Sequence, residues 1–529
     1  RVRLDRSKPR QGCGISQPPV GVGRRLFWGD SQSCVLRAIA LRIARALSGS
    51  FRRSDRGVGS ARTERTEPMA PKFGTSGLRG LVSELTDDLC ADYTRAFLSL
   101  SDAGRVLMIG QDLRPSSPRM ARAVARAATG LGVTVVDCGA LPTPALALAA
   151  DARGAAAIMV TGSHIPADRN GLKFYTRKGE ITKADEGTIL AHLGSAGGGT
   201  DGPAKADPHA AAAYLERYLD FFGAGALDGL RLGVWQHSSV ARDLLADLLS
   251  RFGAEVVCLG RSETFIPVDT EAVGGDTRTL LRGWAVSERL DAILSTDGDA
   301  DRPLLTDRTG AVIAGDVLGV LTARLLGADC VVTPVSSTTM IEASGAFART
   351  IRTKIGSPYV IAGLEGARTD GCRAVGFEAN GGFLLGFVAE RSGRKLSPLL
   401  TRDAFLPLIA PLVAARAAGC NLAALLAALP ARRTASDRLE HVPTERALAL
   451  VGALTSDPTR RAAFFRDFGA EVAVDLTDGL RVTFADGLIL HLRPSGNAPE
   501  LRCYAEDRDA ARAEAAMREV LARAKAQLQ

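Results

Sequence analysis

Short, wholly apolar runs constrain this chain more than any other feature. Ala155-Ala-Ala-Ile-Met-Val160 shows no polar alternation, and six residues are few for a helix. Such a run reads as a strand buried on both faces, as in a parallel sheet covered by helices. It runs into Thr161-Gly-Ser-His-Ile-Pro-Ala-Asp-Arg-Asn-Gly171, where Gly162, Pro166 and Asn170-Gly171 are expected to break regular structure. Ser163 and His164 are therefore expected on an exposed turn at the carboxyl end of a strand, where open α/β sheets bind ligands. A serine beside a histidine, with Lys173 ten positions on, is a candidate nucleophile with acid–base company. Taken alone, an ordinary Ser-Gly-Asn loop explains the stretch equally well.

Length and composition bound the rest. A chain of 529 residues, 46% hydrophobic and 23% charged, fits several domains. It holds no apolar run of the ~18 residues a spanning helix needs. Nine cysteines are scattered without a CxxC pair, against a disulfide framework or a zinc site and for a reducing, cytoplasmic setting. The formal net charge of +8 is misleading. Residues 1–68 hold 14 Arg and 1 Lys against 3 Asp and 2 Glu, so the other 461 residues are slightly acidic. The basic balance that would suggest nucleic acid thus belongs to the first segment alone. Within it, Val35–Leu47 would make a basic amphipathic helix, as in a transit peptide or membrane-surface helix. The favoured alternative is upstream sequence with the native start at Met69, just before the first strong motif. Residues 1–68 are then expected to be poorly ordered and dispensable.

From Met69 strand-like and helix-like stretches alternate, the pattern of a parallel sheet covered by helices. Lys72-Phe-Gly-Thr-Ser-Gly-Leu-Arg-Gly80 is a glycine-rich loop whose amides can approach an anion, with Arg79 as a fork of donors. Gly194–Ala206 reads as a linker. Asp291-Ala-Ile-Leu-Ser-Thr-Asp-Gly-Asp-Ala-Asp-Arg302 is more specific: an apolar strand delivers Asp297, Asp299 and Asp301 at alternate positions of a tight loop. Alternate spacing lets them converge on one hard cation, and oxygen ligands suit Mg²⁺. An EF-hand is excluded, because Arg302 follows the third aspartate, Arg308 stands at position 12, and the flanks read as strands. A solvated acidic turn remains the plain alternative. Thr353-Lys-Ile-Gly-Ser-Pro-Tyr359 and Gly376-Phe-Glu-Ala-Asn-Gly-Gly-Phe383 follow, and Glu378 and Asn380 would face one way if extended. Leu400–Leu429 reads as helical. A hairpin around Ala485-Asp-Gly487 and the loop Arg493-Pro-Ser-Gly-Asn-Ala-Pro-Glu500 mark a small α+β domain. Arg493, Ser495, Gly496 and Asn497 form either a phosphate cradle or a polar turn.

These four loops, in this order from residue 74 to residue 499, resemble the α-D-phosphohexomutase superfamily of phosphomannomutases and phosphoglucomutases. The resemblance implies three similar α/β domains and a fourth TATA-binding-protein-like α+β domain around a cleft, here 69–205, 206–313, 314–432 and 433–529. It implies that Ser163 carries a phosphoryl group, gives it to a hexose monophosphate, and receives another back from the 1,6-bisphosphate, which also acts as activator. Asp297, Asp299 and Asp301 would hold one Mg²⁺ per site with the Ser163 phosphate. Lys173 and Arg79 would be acid–base and electrostatic groups, supported by His164 and Arg302. Glu378 and Asn380 match the sugar loop, Lys354 a further substrate contact, and Arg493, Ser495, Gly496 and Asn497 the grip on the non-reacting phosphate. The family's sugar loop is commonly Gly-Glu-x-Ser-Gly-His. Here Asn380 replaces the serine and Gly382 the histidine, which bears on the sugar more than on the reaction. Mannose phosphates are favoured as substrates because the loops look most like bacterial chains of that activity; glucose and glucosamine phosphates are the alternatives, and a metal-dependent phosphomonoesterase a more distant one. Neither a nucleic-acid nor a membrane partner is expected, and the enzyme would be a monomer or homodimer.

Overall fold

A computed structural model describes residues 71–528 except 75–76, 101, 195–201, 203 and 497–498. The expectations for residues 1–68, for Asn497 and for most of the 194–206 linker lie outside the described residues. Four main sheets follow one another along the chain. In the first, strand Val106–Gln111 is flanked in parallel by Ala156–Val160 and Thr134–Ala140. Every residue of Ala156–Val160 is buried. Alternate side chains feed two cores: Ala156, Ile158 and Val160 on one face, Ala157 and Met159 on the other. That double burial is why the run carries no polar alternation.

The sheet is not wholly parallel. Arg169–Thr176 runs antiparallel to Ala156–Val160, and Leu78–Leu81 antiparallel to it in turn. The expected break at Asn170-Gly171 is therefore corrected: both residues lie in this strand, paired to Gly80 and Arg79. Asn170 Nδ2 donates to Ser116 Oγ and Ser117 Oγ (2.8 and 3.0 Å), so its polar side chain is satisfied without a turn.

The second and third sheets repeat the plan. Ala292–Thr296 pairs in parallel with Arg231–His237, then antiparallel with Pro303–Thr306. Ala374–Phe377 pairs in parallel with Cys330–Pro334, then antiparallel with Phe383–Leu385. In all three sheets the loop carrying the chemistry joins a central strand to its antiparallel neighbour. The expected helix over Leu400–Leu429 begins later than expected: Leu399–Asp403 is a strand paired to Phe383–Leu385, and helices Phe405–Ala417 and Leu422–Ala427 follow. One continuous core runs from Met108 through Leu294 and Phe377 to Val413, fixing the three loops against one another. The last sheet is antiparallel throughout and packs on helices Thr444–Ser456 and Ala510–Leu528 around its own core. Among the described residues, no helix is long and apolar enough to cross a membrane.

Candidate active site

The serine loop is built by a buried charge pair that the sequence reading passed over. Asp112 and Arg114 follow the strand Val106–Gln111 and are each 1% exposed. Asp112 accepts from the Thr161 and Ser117 hydroxyls and from Arg114 Nε. Arg114 spends its remaining N–H groups on the carbonyls of Ser163, Ile165, Pro166 and Arg169, at 2.6–3.0 Å. A planar guanidinium can hold several carbonyls at once in one geometry, which an ammonium cannot. Ser163 is thereby held at φ 53°, a left-handed conformation costly for a non-glycine residue. Contrary to the exposed turn expected from sequence, it is 1% exposed.

The hydroxyl points at the aspartate loop. Ser163 Oγ donates to Asp297 Oδ2 at 2.5 Å, and His164 Nδ1 lies 3.4 Å from Ser163 Oγ. The three aspartates each offer an oxygen, and these lie within 4.8 Å of one another. All three residues are at most 1% exposed, which removes the solvated-turn reading. Asp299 is fixed by Thr143, whose Oγ1 donates to Asp299 Oδ2 at 2.6 Å. Lys173 Nζ reaches Asp299 Oδ2 and Asp301 Oδ2 (2.5 and 2.6 Å) from the strand beside the serine loop. Gly298 sits where the two loops meet: a Cβ there would lie 2.9 Å from the Ser163 carbonyl oxygen and 3.0 Å from the Phe265 ring.

The charges are out of balance in a way that suits ligands. Burial, then the neighbouring Asp299 and Asp301, push the Asp297 carboxyl well above its ordinary range. Burial opposes ionisation of Asp301 as well, but Arg402, Lys173 and Arg302 outweigh it and hold that carboxyl below the usual range. Asp299 Oδ1 and Asp301 Oδ1 are buried without a hydrogen-bond partner. Orphaned carboxylate oxygens on convergent side chains fit a hard divalent cation. On the other side of the serine, burial and Arg302 bring the Arg79 guanidinium down to about 10. Arg79 donates to the Gly162 carbonyl at 3.0 Å. Burial, then Arg302 and Arg79, push the His164 imidazole well below its ordinary value. A crowded, desolvated guanidinium of this kind is stabilised by a phosphate dianion.

The sugar-side residues correct one expectation. Glu378-Ala-Asn380 is a turn, not an extended segment: Gly381 N–H donates to the Glu378 carbonyl and Gly382 N–H to Asn380 Oδ1. Both side chains are nonetheless buried at 5% exposure. Glu378 joins the aspartate loop through Arg402, a residue sequence reasoning missed. Asp478 joins the two remaining loops, accepting from Ile355 N–H, next in the chain to Lys354, at 2.8 Å and from Arg493 Nε at 2.9 Å. Ser495 is buried, Lys354 and Gly496 are exposed.

Fold and site together define an α/β enzyme of several sheets whose buried serine faces a loop of three convergent aspartates. Residues 70–196 match the model for phosphoglucomutase/phosphomannomutase alpha/beta/alpha domain I, and residues 442–523 the model for the C-terminal domain of the same family. A phosphomannomutase of Sinorhizobium fredii is 47% identical over 84% of this chain and 97% of its own length. Another, from Salmonella muenchen, is 44% identical over 82% and 91%. The crystal structure of a phosphoglucomutase/phosphomannomutase family protein from Burkholderia thailandensis superposes with a TM-score of 0.67, at 23% identity, over 86% of this chain and 97% of that one. The chain belongs to the phosphoglucomutase/phosphomannomutase family.

Proposed function

We propose that the chain interconverts hexose 1- and 6-phosphates, mannose phosphates before glucose or glucosamine phosphates, through a phosphorylated Ser163 and a hexose 1,6-bisphosphate. The observation that carries this is the 2.5 Å contact between Ser163 Oγ and Asp297 Oδ2, which joins a candidate nucleophile to a candidate metal ligand from a different sheet. A serine phosphate at that position would complete the oxygen set of Asp297, Asp299 and Asp301. Mg²⁺, one per site, supplies neutralisation of the transferring phosphoryl charge when bound there.

The protein groups then divide the work. In the first half-reaction the bond from phosphorus to Ser163 Oγ breaks while a sugar hydroxyl oxygen bonds to phosphorus. As that bond breaks, the Lys173 ammonium, the candidate acid–base group, protonates Ser163 Oγ and takes up the sugar hydroxyl proton in its place; the second half-reaction runs the same exchange in the opposite direction. Arg79 and Arg302 neutralise charge on the phosphoryl oxygens, and a neutral His164 accompanies the serine. Glu378 and Asn380 bind sugar hydroxyls. Lys354, Arg493, Ser495, Gly496 and Asn497 hold the phosphate that is not reacting, so the bisphosphate can return its other phosphoryl group to Ser163. Water takes no part, and the free bisphosphate serves as activator.

A cytoplasmic setting accords with the described cysteines, which are all unpaired. The test is a coupled assay with mannose, glucose and glucosamine 1-phosphates side by side, each with its bisphosphate. Ser163→Ala and chelation should each abolish turnover; full turnover in either case overturns the proposal.

A further inference from the structure

Arg402 is 4% exposed on the strand Leu399–Asp403, between two acidic loops that come from different sheets. Its Nη2 and Nε donate to Asp301 Oδ2 at 2.7 and 3.1 Å. Its Nη1 faces Glu378 Oε1 at 3.4 Å. The same strand is anchored on both sides of it. Thr401 Oγ1 pairs with Tyr175 OH at 3.3 Å, and Asp403 accepts from Tyr214 OH and Tyr218 OH at 2.6 and 2.5 Å. A guanidinium on so fixed a strand is a rigid spacer rather than a surface charge.

The position beside it explains why this arginine stands here. Gly382, which follows the Glu378–Asn380 turn, packs directly against its stem. A Cβ on Gly382 would lie 2.6 Å from Arg402 Cδ, 2.8 Å from Cγ and 3.0 Å from Cβ. The stem of Arg402 therefore fills the volume into which any side chain at 382 would project.

We propose that Arg402 is a positioning residue for the sugar. Packed against Gly382, it sets the Glu378 carboxylate at a fixed distance from the aspartate loop. The inference rests on the reading of Glu378 as a sugar-hydroxyl group. Arg402 acts through Glu378 and Asp301, so its loss should move sugar-phosphate affinity before it moves the chemistry.

The experiment uses the full chain as wild type, Arg402→Lys and Gly382→Ala. Lysine keeps the charge but replaces the fork of donors with a single ammonium, while Gly382→Ala keeps the arginine and displaces its stem. Calorimetric titration with mannose 1-phosphate gives Kd, the coupled assay gives KM and kcat, and a thermal melt checks folding. Both variants should melt within a few degrees of wild type and bind mannose 1-phosphate about tenfold to a hundredfold more weakly, the loss of one charged hydrogen bond. KM should rise in step, with kcat changed less. Unchanged Kd in both variants overturns the proposal, as does a fall in kcat and melting temperature with Kd and KM unmoved. A wild-type chain that binds the sugar phosphate without isomerising it would instead count against the mutase reading and leave the Kd comparison intact.

Discussion

Replacing Gly298 by alanine tests how tightly the serine and metal loops are held together. The new Cβ would meet the Ser163 carbonyl oxygen at 2.9 Å and two Phe265 ring atoms at 3.0 and 3.1 Å. Ordinary contact begins near 3.4 Å, so something must yield by roughly half an ångström. Neither neighbour is soft. The Ser163 carbonyl is bonded to Arg114 Nη2 at 3.0 Å, and the Arg114 guanidinium stacks 4.0 Å over the Phe265 ring. Overpacking of this kind costs about 1–3 kcal/mol. If most of it falls on the alignment of Ser163 with Asp297, kcat should drop about tenfold to a hundredfold, at 1.36 kcal/mol per factor of ten. Gly283→Ala, on helix Gly275–Ser287 with nothing within 4 Å of its Cβ, is the matched control and should leave the rate unchanged. The assay is initial-rate conversion of hexose 1-phosphate with saturating bisphosphate. A Gly298→Ala enzyme within twofold of wild type would refute the claim that the two loops are rigidly apposed.

Three further outcomes follow from the same geometry. Thr143→Val removes the donor to Asp299 Oδ2, and loss of such an outer partner should weaken the apparent Mg²⁺ affinity about 10- to 100-fold, read from activity against metal concentration. Burial brings His491 and His237 down to about 4, so each resists protonation in the folded state but not in the unfolded one. Their contribution is complete above pH ~6.5 and is lost as pH falls toward 4, on the order of 3 kcal/mol each; His491→Gln should flatten the acid limb of melting temperature against pH. His164 stays neutral across pH 6–8 because its imidazole is pushed well below its ordinary value, so His164→Gln should leave the shape of the pH–rate profile there unchanged.

Much of this site was legible because its loops are local in sequence. The aspartates at 297, 299 and 301 sit in one hairpin whose alternate spacing lets them converge, and the apolar run before Ser163 announces its strand. What was not legible depends on contacts between distant residues. Arg114 reads as an ordinary polar residue after a strand, yet it reaches carbonyls 49 to 55 positions away. Arg402 fell inside a stretch read as helical, and only strand pairing with Phe383–Leu385 turns its side chain toward Asp301. Asn170-Gly171 carries turn-forming residues, but pairing on both edges of the strand overrides that local preference. The Glu378–Gly382 turn shows the opposite: local bonds from Asn380 and Gly381 override an extended reading.

The central claim is that Ser163 carries the transferred phosphoryl group and passes it to sugar. Its most direct test is intact-protein and peptide mass spectrometry of the chain after incubation with mannose 1,6-bisphosphate, followed by a chase with mannose 6-phosphate. The account expects one phosphoryl group on Ser163, none in Ser163→Ala, and loss of that group to the sugar without inorganic phosphate. Label on another residue, or its release to water, would contradict it.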